Sequence, residues 1–378
     1  MALVALLKAR SAAVLGGDKA AWMATVDPAS APFSAAQSRV FDNLREVPFS
    51  GFGYDFAGVA PELSAARQGE LGATAWVARV VADYQLEDYD RTPTQTEQYL
   101  TSVQRSGRWY LAADSDGPTA AQPWDLGRVR LVRGDHVLAL GTAEVSVLRD
   151  YAAQGDRAVE RVSTVWGREW PRRAVLVVPR TEDEMGKLLM RTDGLDQVAA
   201  VTTGELSGSG TAGSDRVVIN PSAFAKLGTT GQRVVLTHEM THVAVRSSTS
   251  TAVPIWLSEG FADYVGYQGV GLGRRTVAAD ELALVRQGEG FTRLPTTADF
   301  DPATTTIAPA YSAAWLACSL IADRYGRAKL VELYRVTASN QSDDPDTALT
   351  RAFQSVLGTS EAAFTTRWRA YLTSLAAG

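Results

Sequence analysis

The segment His238-Glu239-Met240-Thr241-His242 contains two of the three histidines of this 378-residue chain. Side chains four residues apart on an α-helix lie one above the other on the same face, so a helix here would bring both imidazoles together. Two imidazoles so placed can bind one Zn²⁺, while Glu239 points beside them toward a water molecule on the metal. The HExxH pattern therefore predicts a catalytic zinc site with His238 and His242 as ligands and Glu239 as the general base.

The residues around the motif predict that it lies on an α-helix. Thr229 and Thr230 are candidate N-caps, and a Ser/Thr-rich tract at 246–251 ends the segment. Apolar surface for the helix comes from four valines, Val234, Val235, Val243 and Val245. The alternative is a buried helix that carries two histidines and a glutamate by chance. Burying three ionisable groups without partners would destabilise the fold by several kcal/mol, which favours the metal site.

A catalytic zinc site usually has three protein ligands and a water molecule, so a third side chain is required. The remaining histidine, His136, lies far upstream, which makes a carboxylate the better candidate. The extended pattern HExxHxxGxxH is excluded, because Val245 stands where that pattern needs glycine and Ser248 where it needs histidine.

A second segment, Trp-Leu-Ser-Glu-Gly-Phe-Ala-Asp-Tyr at 256–264, supplies two carboxylates downstream of the motif. Pro254 followed by Ser258 predicts a helix start, with Glu259 in the first turn. Glu259 can then complete a His/His/Glu zinc set. Asp263 lies one turn further along the same face, where it is well spaced to accept the outer N–H of a ligating histidine. The alternative for both carboxylates is a solvated helix face.

Together, the HExxH motif and the segment at 256–264 resemble the gluzincin zinc metallopeptidases, in particular their peptidase MA-like branch. The resemblance covers roughly the second half of the chain. It implies that Glu259 is the third zinc ligand and that Asp263 orients a zinc-binding histidine. No G-x-M-E-N segment precedes the motif, so the resemblance does not extend to amino-terminal exopeptidase activity.

The resemblance also implies a tyrosine near the metal, at the start of a later helix. Its phenol can donate a hydrogen bond to the oxyanion of the tetrahedral intermediate. Tyr311 matches by position, because it opens a segment whose apolar residues recur with helical spacing up to residue 326. Tyr264 is the rival candidate, and a tyrosine that only packs is the alternative.

Composition restricts the class of protein and its partners. A hydrophobic fraction of 46% and a charged fraction of 21% are those of a soluble globular protein. With 37 basic and 42 acidic residues and no basic stripe, the chain is not expected to bind nucleic acid. A single cysteine, Cys318, excludes an intrachain disulfide. No apolar run is long enough for a transmembrane segment, and the first ten residues are too short an apolar run for a signal peptide.

The predicted fold class is α+β, with two domains. Residues 1–130 read as helices followed by an antiparallel sheet, with strands at 49–56, 74–86, 95–105 and 108–114, and this order resembles the nuclear transport factor 2-like cone. The turn-rich tract at 114–123 is the candidate linker. Residues 131–378 are predicted to form a mostly helical, thermolysin-like metallopeptidase domain with a small sheet. A helix is expected at 142–166, with strands at 173–178, 198–205 and 216–220, and one of the last two is expected to pair with substrate backbone.

The leading hypothesis is zinc-dependent hydrolysis of a peptide bond by metal-activated water, with Glu239 as the general base and a peptide or protein as substrate. The alternative is a catalytically silent, metallopeptidase-like binding or scaffold protein, against which the intact Glu239 argues. A purely structural zinc site fits poorly, since such sites favour four Cys/His ligands. The sequence predicts neither the peptide specificity nor the oligomeric state.

Overall fold

The computed structural model describes residues 2–60, 62–191, 194–195, 198–203, 214–301, 304, 307–339 and 344–378. The chain forms two compact units, each built from three separate stretches of the sequence. The first contains Met1–Ala152, Val175–Leu195 and Gly213–Pro221, and the second contains Ala153–Ala174, Asp196–Ala212 and Ser222–Gly378. The predicted mixture of α and β structure is confirmed. The cone-like and thermolysin-like domain types stay predictions.

The first unit opens with three helices and a four-stranded antiparallel sheet, in the order β1-β2-β3-β4. Its β2 strand shows the predicted alternation, since every second residue from Val80 to Leu86 is buried. The elements are α1 (Ala2–Gly16), α2 (Lys19–Met23), α3 (Ala31–Leu44), β1 (Phe49–Val59), α4 (Ala65–Leu71), β2 (Trp76–Leu86), β3 (Thr94–Arg105) and β4 (Arg108–Ala113).

The middle of the chain alternates short strands and helices. In order these are α5 (Pro123–Leu126), β5 (Arg130–Arg133), β6 (Val137–Gly141), α6 (Val145–Trp166), β7 (Ala174–Val178), α7 (Glu182–Leu189), β8 (Ala200–Thr202) and β9 (Arg216–Ile219). In the first unit, β5, β6, β7 and β9 lie in that order in a second sheet, with β5–β6 antiparallel and β7–β9 parallel. Strand β8 belongs to the second unit. The strand predicted at 198–205 ends outside the described residues.

The core of the first unit includes side chains from both sides of residue 130. Trp22 and Phe41 from the N-terminal helices share one buried cluster with Leu138, Leu140 and Val175. The β5–β6 hairpin was not expected from the sequence, because the turn-rich tract before it reads as a linker. Independent folding of residues 131–378 stays a prediction, and a cut at residue 130 would divide this cluster.

The second unit is mostly helical. Its elements after residue 221 are α8 (Pro221–Lys226), α9 (Thr229–Arg246), α10 (Ile255–Gly266), α11 (Arg274–Val277), α12 (Ala279–Gln287), a 3₁₀ turn (Thr297–Phe300), α13 (Ile307–Tyr325), α14 (Arg327–Thr337), α15 (Pro345–Leu357) and α16 (Glu361–Ala377). None of the helices that the structure describes combines the length and the apolar character needed to cross a membrane.

Helix α10 approaches both of its neighbours through glycines. A Cβ atom at Gly260 would lie 2.4 Å from the backbone oxygen of Ala314 on α13, and one at Gly266 would lie 3.1 Å from the backbone oxygen of Val234 on α9. The contact at Gly260 leaves no room for a side chain, and the one at Gly266 is tighter than an ordinary Cβ contact, so both glycines favour the close approach of α10 to α13 and α9. This packing brings the carboxylates of α10 to the histidines of α9.

We expect Gly260→Ala to destabilise the second unit, although alanine favours helices more than glycine does. The added methyl group would collide with backbone, which cannot rotate away, and such overpacking typically costs about 1–3 kcal/mol. A lower midpoint of thermal unfolding by circular dichroism would show this. Gly69→Ala on α4 is the matched control, since a Cβ there meets nothing within 4 Å. If both variants melt like the wild type, α10 and α13 are not packed this closely.

Candidate metal centre and active site

Helix α9 carries the HExxH motif on a segment that is buried around most of its circumference. Two threonines make this burial possible, since the hydroxyls of Thr237 and Thr241 each donate to the carbonyl oxygen four residues earlier, at 2.7 Å. The N-cap is Gly228, so the prediction of Thr229 or Thr230 was wrong. The described backbone there is already helical from residue 229.

The two motif histidines face each other at the surface of α9 that meets α10. Their Nε2 atoms are 3.0 Å apart, and their rings are edge to face with centroids separated by 4.7 Å. His242 is only 1% exposed, and the side chain of His238 is 12% exposed. The 3.6-residue helical period therefore produces the predicted pairing.

Helix α10 supplies the third group. Oε2 of Glu259 lies 3.3 Å from Nε2 of His238 and 3.7 Å from Nε2 of His242. The helix begins at Ile255, with Pro254 as its N-cap. Glu259 therefore lies in the second turn, and the prediction that it lies in the first turn was wrong. The earlier start leaves Trp256 and Leu257 buried and still directs Glu259 toward α9.

These three side chains have the geometry of a zinc site. His238, His242 and Glu259 each offer one ligand atom, and the three atoms lie within 4.8 Å of one another. Ligands at tetrahedral angles and about 2.0–2.1 Å from a zinc ion would be about 3.3 Å apart. The observed separations of 3.0, 3.3 and 3.7 Å lie around that value. The cluster can therefore hold a metal ion.

Opposite charges within the cluster offset the cost of burying its ionisable side chains. Burial opposes the charged form of His238, but Asp263 and then Glu259 outweigh it and raise the pKa of His238 well above its ordinary value. Burial likewise opposes ionisation of Glu259, yet His242 and His238 hold its pKa well below the usual range. Glu259 is thus held as a carboxylate, the form that binds a cation, and a bound cation would displace the additional proton that these carboxylates favour on His238.

Asp263 contacts the opposite nitrogen of the same histidine. Its Oδ1 lies 2.8 Å from Nδ1 of His238, one helical turn beyond Glu259. When Nδ1 carries the proton and donates it to Asp263, Nε2 presents its lone pair to the centre of the cluster. Burial and the nearby Asp263 raise the pKa of Tyr267, the next residue along this face, to about 12, so it stays a neutral phenol.

Glu239 stands apart from the ligand set. It is 7% exposed, and its Oε2 accepts a hydrogen bond of 2.7 Å from the hydroxyl of Thr202 at the end of β8. Sequence reasoning did not identify Thr202, because its link to the motif spans 37 residues and no local pattern marks it. Glu239 is therefore joined to β8 by this hydrogen bond, and it is not one of the three residues of the cluster.

The structure brings the predicted Tyr311 close to the cluster. It is the fifth residue of α13, its ring centroid lies 6.2 Å from that of His238, and its ring packs edge to face against Phe300 at 5.0 Å. The rival Tyr264 is 8% exposed and stacks on Phe261, as a packing residue does. His136 lies in the first unit, outside the cluster.

We expect Asp263→Asn to weaken zinc binding without abolishing it. An amide accepts the Nδ1 proton less strongly than a carboxylate, and losing such a partner typically costs about 10–100-fold in metal affinity. Zinc affinity measured by competition with a chromophoric chelator tests this. Asp323→Asn is the control, because Asp323 forms an exposed ion pair with Arg274. Unchanged affinity in Asp263→Asn would make this carboxylate a mere surface group, and an empty site would make it a ligand.

No model of a known protein family matches the chain, and no curated protein sequence matches it. Among solved structures, the chain is similar to an M1 zinc metallopeptidase from Deinococcus radiodurans, crystallised as a mutant with a Tyr-Ser-Ala substrate bound. The two are 16% identical, the match covers 85% of this chain and 71% of the other, and the TM-score is 0.37. A likeness of this degree does not assign a family.

Proposed function

We propose that this protein is a zinc-dependent peptidase of the gluzincin type, acting on a peptide or protein substrate. The observation that carries the proposal is the His238/His242/Glu259 cluster, whose ligand atoms lie at tetrahedral spacing. Glu239, between the two histidines in the motif, is a buried glutamate that is not part of the set. The order HExxH and then EGFAD supports the peptidase MA-like assignment of residues 131–378. The cone-like assignment of residues 1–130 is part of the same proposal.

Three side chains would hold the ion, and a fourth would do the proton chemistry. Zinc in such a site lowers the pKa of a water molecule toward neutrality and polarises the carbonyl group of the scissile bond. Glu239 takes the proton from the attacking water and passes it to the leaving amine. His238 is kept in the tautomer that exposes Nε2 by its contact with Asp263.

Tyr311 is the proposed donor to the oxyanion. A phenol at the edge of the cluster, with its ring held by Phe300, can stabilise negative charge that develops on the carbonyl oxygen. The catalytically silent scaffold is the less favoured function, because a protein that only binds partners has no need for a buried, hydrogen-bonded carboxylate at the second position of the motif.

Metal content together with peptide cleavage tests the proposal. Protein purified without added metal should contain close to one zinc per chain, and the zinc-loaded protein should cleave members of a mixed-sequence peptide library, read by mass spectrometry. Removal of zinc with a chelator should stop cleavage, and added zinc should restore it. Stoichiometric zinc with no cleavage would instead support the scaffold, and absence of zinc would overturn both readings of the site.

A further inference from the structure

Strand β8 provides a hydroxyl to the motif glutamate. Thr202 is fully buried, and it lies in the same compact unit as α9. Its Oγ1 is 2.7 Å from Oε2 of Glu239 and 3.5 Å from the backbone oxygen of the same residue. A hydroxyl has one proton to donate, and the contact of 2.7 Å is the stronger hydrogen bond.

The donor is more rigid than the group it holds. Threonine is β-branched, so its χ1 angle is restricted, and its backbone belongs to a strand. Glutamate has three rotatable side-chain bonds, so a free Glu239 would populate several rotamers. A carboxylate has about four acceptor positions, so the hydrogen bond that Oε2 accepts from Thr202 does not by itself prevent it from taking up a proton.

We infer that Thr202 is a positioning residue, which fixes the Glu239 carboxylate in the orientation from which it accepts the proton of the attacking water. This inference rests on the proposed peptidase function and adds to it a residue outside both sequence motifs. No described hydrogen bond joins Thr202 to the ligand atoms or to Asp263, so we expect its loss to act on the step that uses Glu239.

The test compares two substitutions at this position in the full-length, zinc-loaded protein. Thr202→Val keeps the shape and removes the hydroxyl, and Thr202→Ser keeps the hydroxyl. For a peptide that the wild type cleaves, Thr202→Val should lower kcat by about 10–100-fold, the usual loss when a group that orients a functional side chain is removed. KM should change less than about threefold, because substrate binding does not involve Glu239's proton transfer. Zinc content should remain near one per chain.

Thr337→Val is the matched control for burial and for the loss of a hydroxyl hydrogen bond. Thr337 is also fully buried in the second unit, and its hydroxyl donates to the backbone oxygen of Leu333 at 2.8 Å. This variant should keep the wild-type kcat, and Thr202→Ser should recover kcat to within about threefold of the wild type.

Three outcomes would overturn the inference. The first is a kcat of Thr202→Val within twofold of the wild type. The second is an equal loss in Thr202→Ser, and the third is an equal loss in Thr337→Val, since either would indicate a packing effect. In each case the wild type still cleaves peptide, so the proposed function survives. A zinc-loaded wild type that cleaves nothing would overturn the proposed function, and the role of Thr202 with it.

Discussion

Glu239→Gln should retain zinc and lose peptide cleavage by about 10²–10⁴-fold, the usual contribution of a general base. Glutamine has nearly the shape of glutamate and can still accept the hydrogen bond of Thr202, but it cannot take up a proton at neutral pH. Glu239 is not in the ligand cluster, so the ion should stay bound. Metal analysis of the purified variant and its kcat for a peptide cleaved by the wild type measure the two effects separately.

Glu281→Gln is the matched control for this substitution. Glu281 is a fully buried carboxylate of the same unit, and its Oε1 accepts a hydrogen bond of 2.9 Å from the backbone N–H of Phe291. Burial raises the pKa of Glu281 to about 7, so a neutral amide resembles a form that it already populates. This variant should cleave peptide at close to the wild-type rate. If Glu239→Gln loses zinc in proportion to activity, Glu239 is a ligand and not a base.

The metal cluster was predictable because each part of it follows from spacing along one helix. His238 and His242 are four residues apart on α9, and Glu259 and Asp263 are four residues apart on α10, so the helical period alone puts each pair on one face. That the two faces meet is a matter of packing. The contact depends on Gly260 and Gly266, which the sequence shows but whose backbone neighbours it does not.

Errors at the helix starts have a local cause. For α9 the capping residue was sought at Thr229 or Thr230, whereas the N-cap is Gly228. For α10 the start was predicted from Pro254 followed by Ser258, whereas Pro254 is itself the N-cap and the helix begins at Ile255. Neither helix start has a side-chain cap hydrogen bond, so the gain of roughly 1 kcal/mol from a capping side chain does not mark where these helices begin.

The contacts that the sequence could not supply join segments far apart in the chain. Thr202 reaches Glu239 from a three-residue strand, too short for its period to be read, and nothing nearby distinguishes it from Thr203. The first unit shows the same limitation. Leu138 and Val175 join a core begun by Trp22, across a tract whose turn-forming residues indicated a linker.

Glu259→Ala should empty the metal site, with the zinc content falling from about one to near zero per chain. Two imidazoles alone leave the ion without a third protein ligand, and the site loses the one ligand that brings a negative charge. Cleavage should fall to background. The loss should also change the response of the folded protein to zinc. Zinc at about 1,000 times its Kd increases the free energy of unfolding by about 4 kcal/mol, and it should not change that of a variant without the site.

Elemental analysis and thermal melts with and without added zinc distinguish the possible outcomes. Wild type should melt at a higher temperature when zinc is present, Asp263→Asn should show the same rise only at higher zinc concentrations, and Glu259→Ala should show none. The two substitutions can be compared directly, because Glu259 and Asp263 lie one turn apart on α10 and both contact His238, at Nε2 and Nδ1 respectively. If Glu259→Ala keeps its zinc while Asp263→Asn loses it, the two carboxylates have been assigned in the wrong order, and His238 would bind the ion through Nδ1.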